Sequence, residues 1–277
     1  VYDLMEDSTG SIWAGTDGGV AICTLAKCNV NIEVLNYKNG LADNIVKKLA
    51  LDHDQTILMA TEDAGMIRYD PMKNQFSSLA GKWTGGSVSD FAIDGKKIWI
   101  STKRLGLVVF DTDRNKNTQY AIETSFNPGS ISALLKDREG NIWAGSRSGV
   151  VRTAGDKLAF IESFGPTKDI NVLAVAVDKK SDIWFSTSEG LFKRSTNEDG
   201  EVNLGKPLAN TNFLRHRVIS LYVDEGGYIW AGLYGQGVLR IHPVSGRITH
   251  LNKELRNGNV LNITGKGNTI WLASLGG

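Results

Sequence analysis

The sequence has little of what staples or interrupts a small fold: of its 277 residues two are cysteine and five are proline. Cys23 and Cys28 lie five residues apart beside a predicted strand, and no second pair or His partner follows at zinc-ligand spacing. No metal or cofactor is expected. Long hydrophobic runs are missing too. The longest purely apolar run, Val172 to Val177, has six residues, against the roughly 18 that cross a bilayer, so no segment is expected to insert in a membrane. The start shows no basic stretch followed by an apolar one, so no signal peptide is read there. Charge of one sign is also lacking. Thirty-one Lys and Arg oppose thirty Asp and Glu, a net +1, which excludes whole-molecule steering toward nucleic acid and leaves local patches to meet any charged partner. With no Ser- or Pro-rich tract to act as a linker, residues 1–277 are expected to form a single domain.

What the chain does have is a repeat. An apolar strand ends in Asp, a short turn follows, then Ile-Trp with small residues, then a Gly-rich loop and another strand. The second strands begin at Ile12-Trp13, Ile57-Leu58, Ile98-Trp99, Ile142-Trp143, Ile183-Trp184, Ile229-Trp230 and Ile270-Trp271. Successive separations are 45, 41, 44, 41, 46 and 41 residues. That period suits four short strands with their turns, and is longer than the roughly 34 residues of a helical hairpin repeat. Asp7-Ser8-Thr9-Gly10 and Asp137-Arg138-Glu139-Gly140 put Asp first and Gly fourth, as a type I turn prefers. The strands leading into these turns, such as Val172 to Val177, read as apolar on both faces, which suits an inner strand packed between neighbouring sheets.

These features predict an all-β fold, a seven-bladed β-propeller closed into a ring. Its last blade is incomplete. Strands one and two occur seven times but strands three and four only six, so the seventh blade has only its inner two strands and the chain reads as a fragment of a larger multidomain protein.

Asp-x-x-Gly-x-Ile-Trp-Ala-Gly-Thr-x-Gly-Gly, from Asp7 to Gly19, resembles the two-component regulator propeller repeat, with close variants at Asp137–Gly149 and Asp224–Gly237. The lead-in Asn39-Gly40-Leu41-Ala42-Asp43-Asn44 is similar to that family's loop before an inner strand. Three positions depart from the pattern: Leu58 replaces a Trp, Gly95 begins a shorter turn, and Gly265 stands where Asp is expected. The resemblance implies the periplasmic sensor region of a hybrid two-component system histidine kinase anchored in the inner membrane. It further implies an oligosaccharide ligand, an adjacent propeller and a β-sandwich as neighbours in the chain, and a possible homodimer through flanking domains.

The repeat Trp residues are expected to wedge between blades, and the repeated aspartates to cap their own turns. Candidate ligand-binding residues come instead from loops that a propeller gathers on one face, around its central funnel. Lys103, Arg104, Arg147, Arg215, His216 and Arg217 would form a basic arc there, and Asp17, Asp43, Glu62 and Asp63 an acidic one. Guanidinium forks suit carboxylate or sulfate, so an acidic saccharide is the expected ligand. Tyr234 and Gln236 add an aromatic and an amide where the repeats place small residues, and Trp83 is a further stacking candidate.

No Gly-x-Ser-x-Gly elbow or His-Glu-x-x-His pattern is present, so the domain is not expected to be an enzyme. His216 is the only histidine expected near the funnel. The alternatives are a scaffold propeller without a ligand and a streptogramin-lyase-like enzyme, which would need His216 near a carboxylate such as Glu189 and a bound magnesium.

Overall fold

An aspartate at the end of a strand can accept amide hydrogens from the turn that follows, and here that local bond is tied to the packing of the whole sheet. A computed structural model describes residues 1–26, 29–79, 86–119, 131–146, 149–154, 157–162, 172–187, 190–196, 202–204, 217–252, 255 and 257–275. They divide into two compact units, Val1–Ile122 with Pro128–Ile131, and Glu123–Asn127 with Ser132–Gly277.

The first unit holds three four-stranded antiparallel sheets. They are β1 (Asp3–Glu6) to β4 (Asn29–Leu35) through β2 (Ile12–Gly15) and β3 (Val20–Ala26); β5 (Val46–Leu51) to β8 (Gln75–Ser78) through β6 (Ile57–Thr61) and β7 (Met66–Asp70); and β9 (Val88–Asp94) to β12 (Lys116–Gln119) through β10 (Lys97–Thr102) and β11 (Gly106–Asp111). The second unit has three more: β13 (Ala133–Lys136), β14 (Ile142–Ser146), β15 (Gly149–Ala154) and β16 (Lys157–Glu162); β17 (Ala174–Val177), β18 (Ile183–Thr187), β19 (Gly190–Thr196) and β20 (Val202–Leu204); and β21 (Val218–Val223), β22 (Ile229–Leu233), β23 (Gly237–Ile241) and β24 (Ile248–Leu251). It ends in a two-stranded sheet, β25 (Val260–Lys266) with β26 (Thr269–Ser274). Every sheet is an up-and-down meander. Six complete blades and a partial seventh are thus present among the described residues, with a single 3-10 turn, Tyr37–Asn39, as the helical element.

Asp7, Asp52, Asp137, Asp178 and Asp224 each use their two carboxylate oxygens differently. In the first blade Asp7 Oδ1 accepts from the Thr9 and Ser11 amides at 2.8 and 3.0 Å, and Oδ2 accepts the Trp13 indole N–H at 2.8 Å. The same indole bond joins Trp143 to Asp137 at 2.7 Å, Trp184 to Asp178 at 3.0 Å and Trp230 to Asp224 at 2.8 Å. One oxygen closes the turn and the other fixes a large side chain six residues on. Burial alone would raise the Asp7 pKa, but the hydrogen bonds from Thr9, Trp13 and Ser11 outweigh it and hold the carboxyl below its ordinary value.

The anchored indoles form the seams between blades. Trp13 lies 5.9 Å, ring to ring, from Tyr69 of the next blade, and the Arg194 guanidinium of the fifth blade sits 5.2 Å above Trp143 of the fourth. Trp13, Trp99, Trp143 and Trp184 are buried, so their platforms are spent on packing. Where Leu58 replaces Trp in the second blade, Arg68 opposite it on β7 supplies the missing donor, with Nη2 at 2.8 Å from Asp52 Oδ2. Where Gly265 replaces Asp, the Tyr222 hydroxyl donates to the Gly265 carbonyl at 2.6 Å, and a Cβ there would meet Thr269 O at 2.7 Å.

The inner strands are less apolar than the sequence suggests. Asp3 on β1, Lys48 on β5 and Asp90 on β9 hold the same rung of three successive sheets. Lys48 Nζ lies 2.6 Å from Asp90 Oδ1, and Asp3 Oδ2 accepts the Leu49 amide at 2.7 Å. The partners sit more than 40 residues apart in sequence, so their pairing is set by the stacking of the blades. Burial pushes the Asp3 pKa up to about 6, against the opposing pull of Lys48 and the Leu49 amide.

Asp3 therefore binds its proton more tightly in the folded protein than in the unfolded chain, where the pKa is 3.8. Its contribution to stability is greatest below the unfolded value and is lost as pH rises through about 6. Asp3→Asn should flatten the fall in stability between pH 4 and 7, as measured by urea unfolding at stepped pH; an unchanged slope would contradict the burial account.

Candidate functional site

The turns between second and third strands share one device. A Thr or Ser at the end of the second strand donates its hydroxyl to the carbonyl of the Gly that opens the third: Thr16 to Gly19 at 2.9 Å, Thr61 to Gly65 at 2.8 Å, Thr102 to Gly106 at 3.1 Å, Ser146 to Gly149 at 3.2 Å and Thr187 to Gly190 at 3.4 Å. These clamps fix the loop ends and leave the residues between them outside the ladder.

In the first unit the loop of the second blade presents Glu62, which is shared by two lysines. Lys103, on the corresponding loop of the third blade, lies 3.0 Å from Glu62 Oε1, and Lys47 on β5 contacts Oε2. Lys47 also donates to Ser87 Oγ at 2.8 Å. Burial and the nearby Lys103 ammonium hold the Lys47 pKa below its ordinary value, although Asp43 and Asp63 oppose them. Asp43 itself is engaged, Oδ1 by the Ile45 amide at 2.9 Å and Oδ2 by the Asp63 amide at 2.7 Å. The basic and acidic groups expected on separate arcs thus interleave here, and Lys103 is compensated. Arg104 is exposed beside it. Lys47 was absent from the sequence-derived candidates, although two lysines in the otherwise apolar run Val46 to Leu51 were the available signal.

In the second unit the sixth blade departs from the clamp. Leu233, fully buried, stands where the hydroxyl should be, and the loop Tyr234-Gly235-Gln236 is held in other ways. The Tyr234 amide donates to Arg217 O at 2.9 Å, the Gly237 amide to Gly258 O at 2.8 Å, and His250 Nε2 lies 2.5 Å from Gln236 O. Gly235 and Gly237 adopt φ of 80° and 81°, which only glycine reaches without strain. Tyr234 is 57% exposed and Gln236 half-buried. His250, on an outer strand, reaches this loop from β24, a contact that alternation along the strand does not show.

Of the expected ligand-binding residues, Lys103 and Arg104 fall in the first unit and Tyr234 and Gln236 in the second. Trp83, Arg147, Arg215 and His216 lie outside the described residues, as does Glu189. Among the described residues no cluster of three or more His, Cys, Asp or Glu could hold a metal ion.

Residues 125–148 match the family described as Two component regulator propeller. Among solved structures, the extracellular domain of a protein assigned as a hybrid two-component system from B. thetaiotaomicron aligns at 19% identity with a TM-score of 0.82, over 99% of this chain and 36% of that one. Virginiamycin B lyase from Staphylococcus aureus aligns at 14% identity and TM-score 0.78, over 99% of this chain and 91% of the lyase. PorZ of Porphyromonas gingivalis, a surface component of its type-IX secretion system, aligns at 14% identity and TM-score 0.73, over 99% and 45%. No curated protein sequence matches the chain. The fold is therefore an all-β propeller. The chain carries a two-component regulator propeller repeat, and it spans little more than a third of the length of the two-component system domain it resembles.

Gly237 tests how the sixth-blade loop is built. A Cβ at Gly237 would meet Leu251 O at 2.8 Å and Asn252 Cβ at 2.9 Å, whereas at Gly140, also at positive φ, nothing lies within 4 Å. Gly237→Ala should cost more than the roughly 1–2 kcal/mol of backbone strain expected at Gly140→Ala, as compared by thermal melting; equal losses would show that the loop yields freely.

Proposed function

We propose that this chain is the ligand-sensing propeller of an extracytoplasmic receptor that detects glycan fragments. It passes the signal through neighbouring domains to a histidine kinase. The carrying observation is the two-component regulator propeller repeat at residues 125–148. The structural likeness to an extracellular two-component system domain, of which this chain spans about a third, adds support. In this reading residues 1–277 are one seven-bladed propeller in a periplasmic region anchored to the inner membrane. A second propeller and a β-sandwich adjoin it, and flanking domains provide any homodimer contact. The domain itself performs no catalysis. No helix among the described residues is long and apolar enough to cross a membrane.

A propeller suits such a task because its β ladders are rigid while its turns tolerate exchange of side chains. A ligand shifts a receptor only by binding its two arrangements unequally, so the ligand must touch turns whose neighbours move between them. An acidic oligosaccharide is the expected ligand.

Isothermal titration of the protein, with its flanking domains present, against acidic and neutral oligosaccharides tests this. Saturable heat from at least one is expected. No heat from any of them would overturn the sensor reading.

A further inference from the structure

The five hydroxyl-clamped turns set a rule, and the sixth-blade turn breaks it at Leu233. Leu233 gains burial in the apolar core of its unit and gives up the hydroxyl clamp, so the turn beyond it is built differently from the other five. Here the break comes with three side chains that have no partner among the described residues. The Tyr234 phenol makes no hydrogen bond there while the ring stands 57% exposed. Gln236 commits its backbone carbonyl to His250 but leaves its carboxamide free. Arg217 is exposed and enters no ion pair.

Arg217 and Tyr234 are also neighbours. Val218 and Leu233 are register partners and both are buried. Just beyond that last rung the Tyr234 amide donates to Arg217 O at 2.9 Å, which keeps the two backbones adjacent. An exposed guanidinium residue and an exposed phenol thus stand on neighbouring backbones. The loop also packs closely on the segment before β25: a Cβ at Gly258 would meet Gly235 O at 2.7 Å.

The contrast with the first unit is chemical. There Lys103 is matched by Glu62, so an incoming anion would have to displace a carboxylate already in place. Arg217 has no such competitor among the described residues. Its planar fork can take a carboxylate or sulfate in two parallel hydrogen bonds. A phenol ring beside it can cover the apolar face of a sugar ring, whose hydroxyls suit a free carboxamide that both donates and accepts.

We propose that Arg217, Tyr234 and Gln236 form the recognition site for the acidic ring of an oligosaccharide, with Arg217 setting the preference for a charged over a neutral sugar. This rests on the sensor reading above and names the site that reading leaves open.

The test is calorimetry with an oligogalacturonide, a hyaluronan fragment and a sulfated chondroitin fragment, each beside its carboxyl-reduced or desulfated counterpart. One acidic probe should bind about tenfold or more tighter than its neutral partner, a difference of roughly 1.4 kcal/mol. Arg217→Gln should erase that difference while leaving weak binding of both. Tyr234→Ala should weaken both, and Lys103→Gln should change neither. Thermal melts confirm that the variants, all at exposed positions, remain folded. If acidic sugars bind but Arg217→Gln keeps the preference, or Lys103→Gln removes it, the site assignment is wrong and the sensor reading stands. If neutral partners bind as tightly, the assigned ligand class is wrong. If no saccharide binds the unmodified protein, the sensor reading itself falls.

Discussion

In four described blades a single carboxylate at the first hairpin carries two loads. Its one oxygen gathers the amides of the turn, and its other holds an indole N–H from the middle of the second strand. Because the indole is also the residue that fills the seam to the next blade, hairpin closure and blade stacking become one event. A hydrogen bond to a charged acceptor is worth about 1.5–3 kcal/mol, and the bond recurs in four described blades. The second blade shows how strict the demand is. Having lost the indole at Leu58, it recruits the Arg68 guanidinium from the facing strand to the same oxygen of Asp52.

This arrangement divides labour along each blade. The end carrying the Asp-Trp bond is spent on structure, its aromatic rings buried and its carboxylates filled. At the other end five of the turns between second and third strands are closed by a hydroxyl bond, and the sixth, at Leu233, is not. The Glu62 pair with Lys47 and Lys103 and the adjacent Arg217 and Tyr234 both lie at that end, and among the described residues Arg217 enters no ion pair.

Much of the fold was legible because it is local. Ile-Trp spacing, Asp-to-Gly turns and the shortened seventh repeat are written within single repeats, and five second strands begin where the pattern put them while β10 and β26 begin one residue earlier, at Lys97 and Thr269. The role of the repeat aspartates was also readable, since the turn amides they accept lie two to four residues away. What escaped has one physical origin. Asp3, Lys48 and Asp90 meet only because blades stack, and nothing in the local sequence tells Lys48 which carboxylate it will find. Glu62 was assigned to an acidic arc and Lys103 to a basic one, but their bond spans 41 residues. His250 sits on the outer strand β24, yet its imidazole reaches back to the sixth-blade turn. Tyr234 and Gln236 could be singled out because they break a local pattern, whereas the availability of Arg217 depends on which carboxylates are near, a matter of packing.

The most direct measurement is a double-mutant cycle on Asp178 and Trp184, using Asp178→Ala and Trp184→Phe, with stabilities from denaturant unfolding. If hairpin closure and seam packing are one event, the two losses will fall short of adding by about 1 kcal/mol or more. Additivity within about 0.5 kcal/mol would show that the turn and the indole are stabilised independently, and would contradict the account.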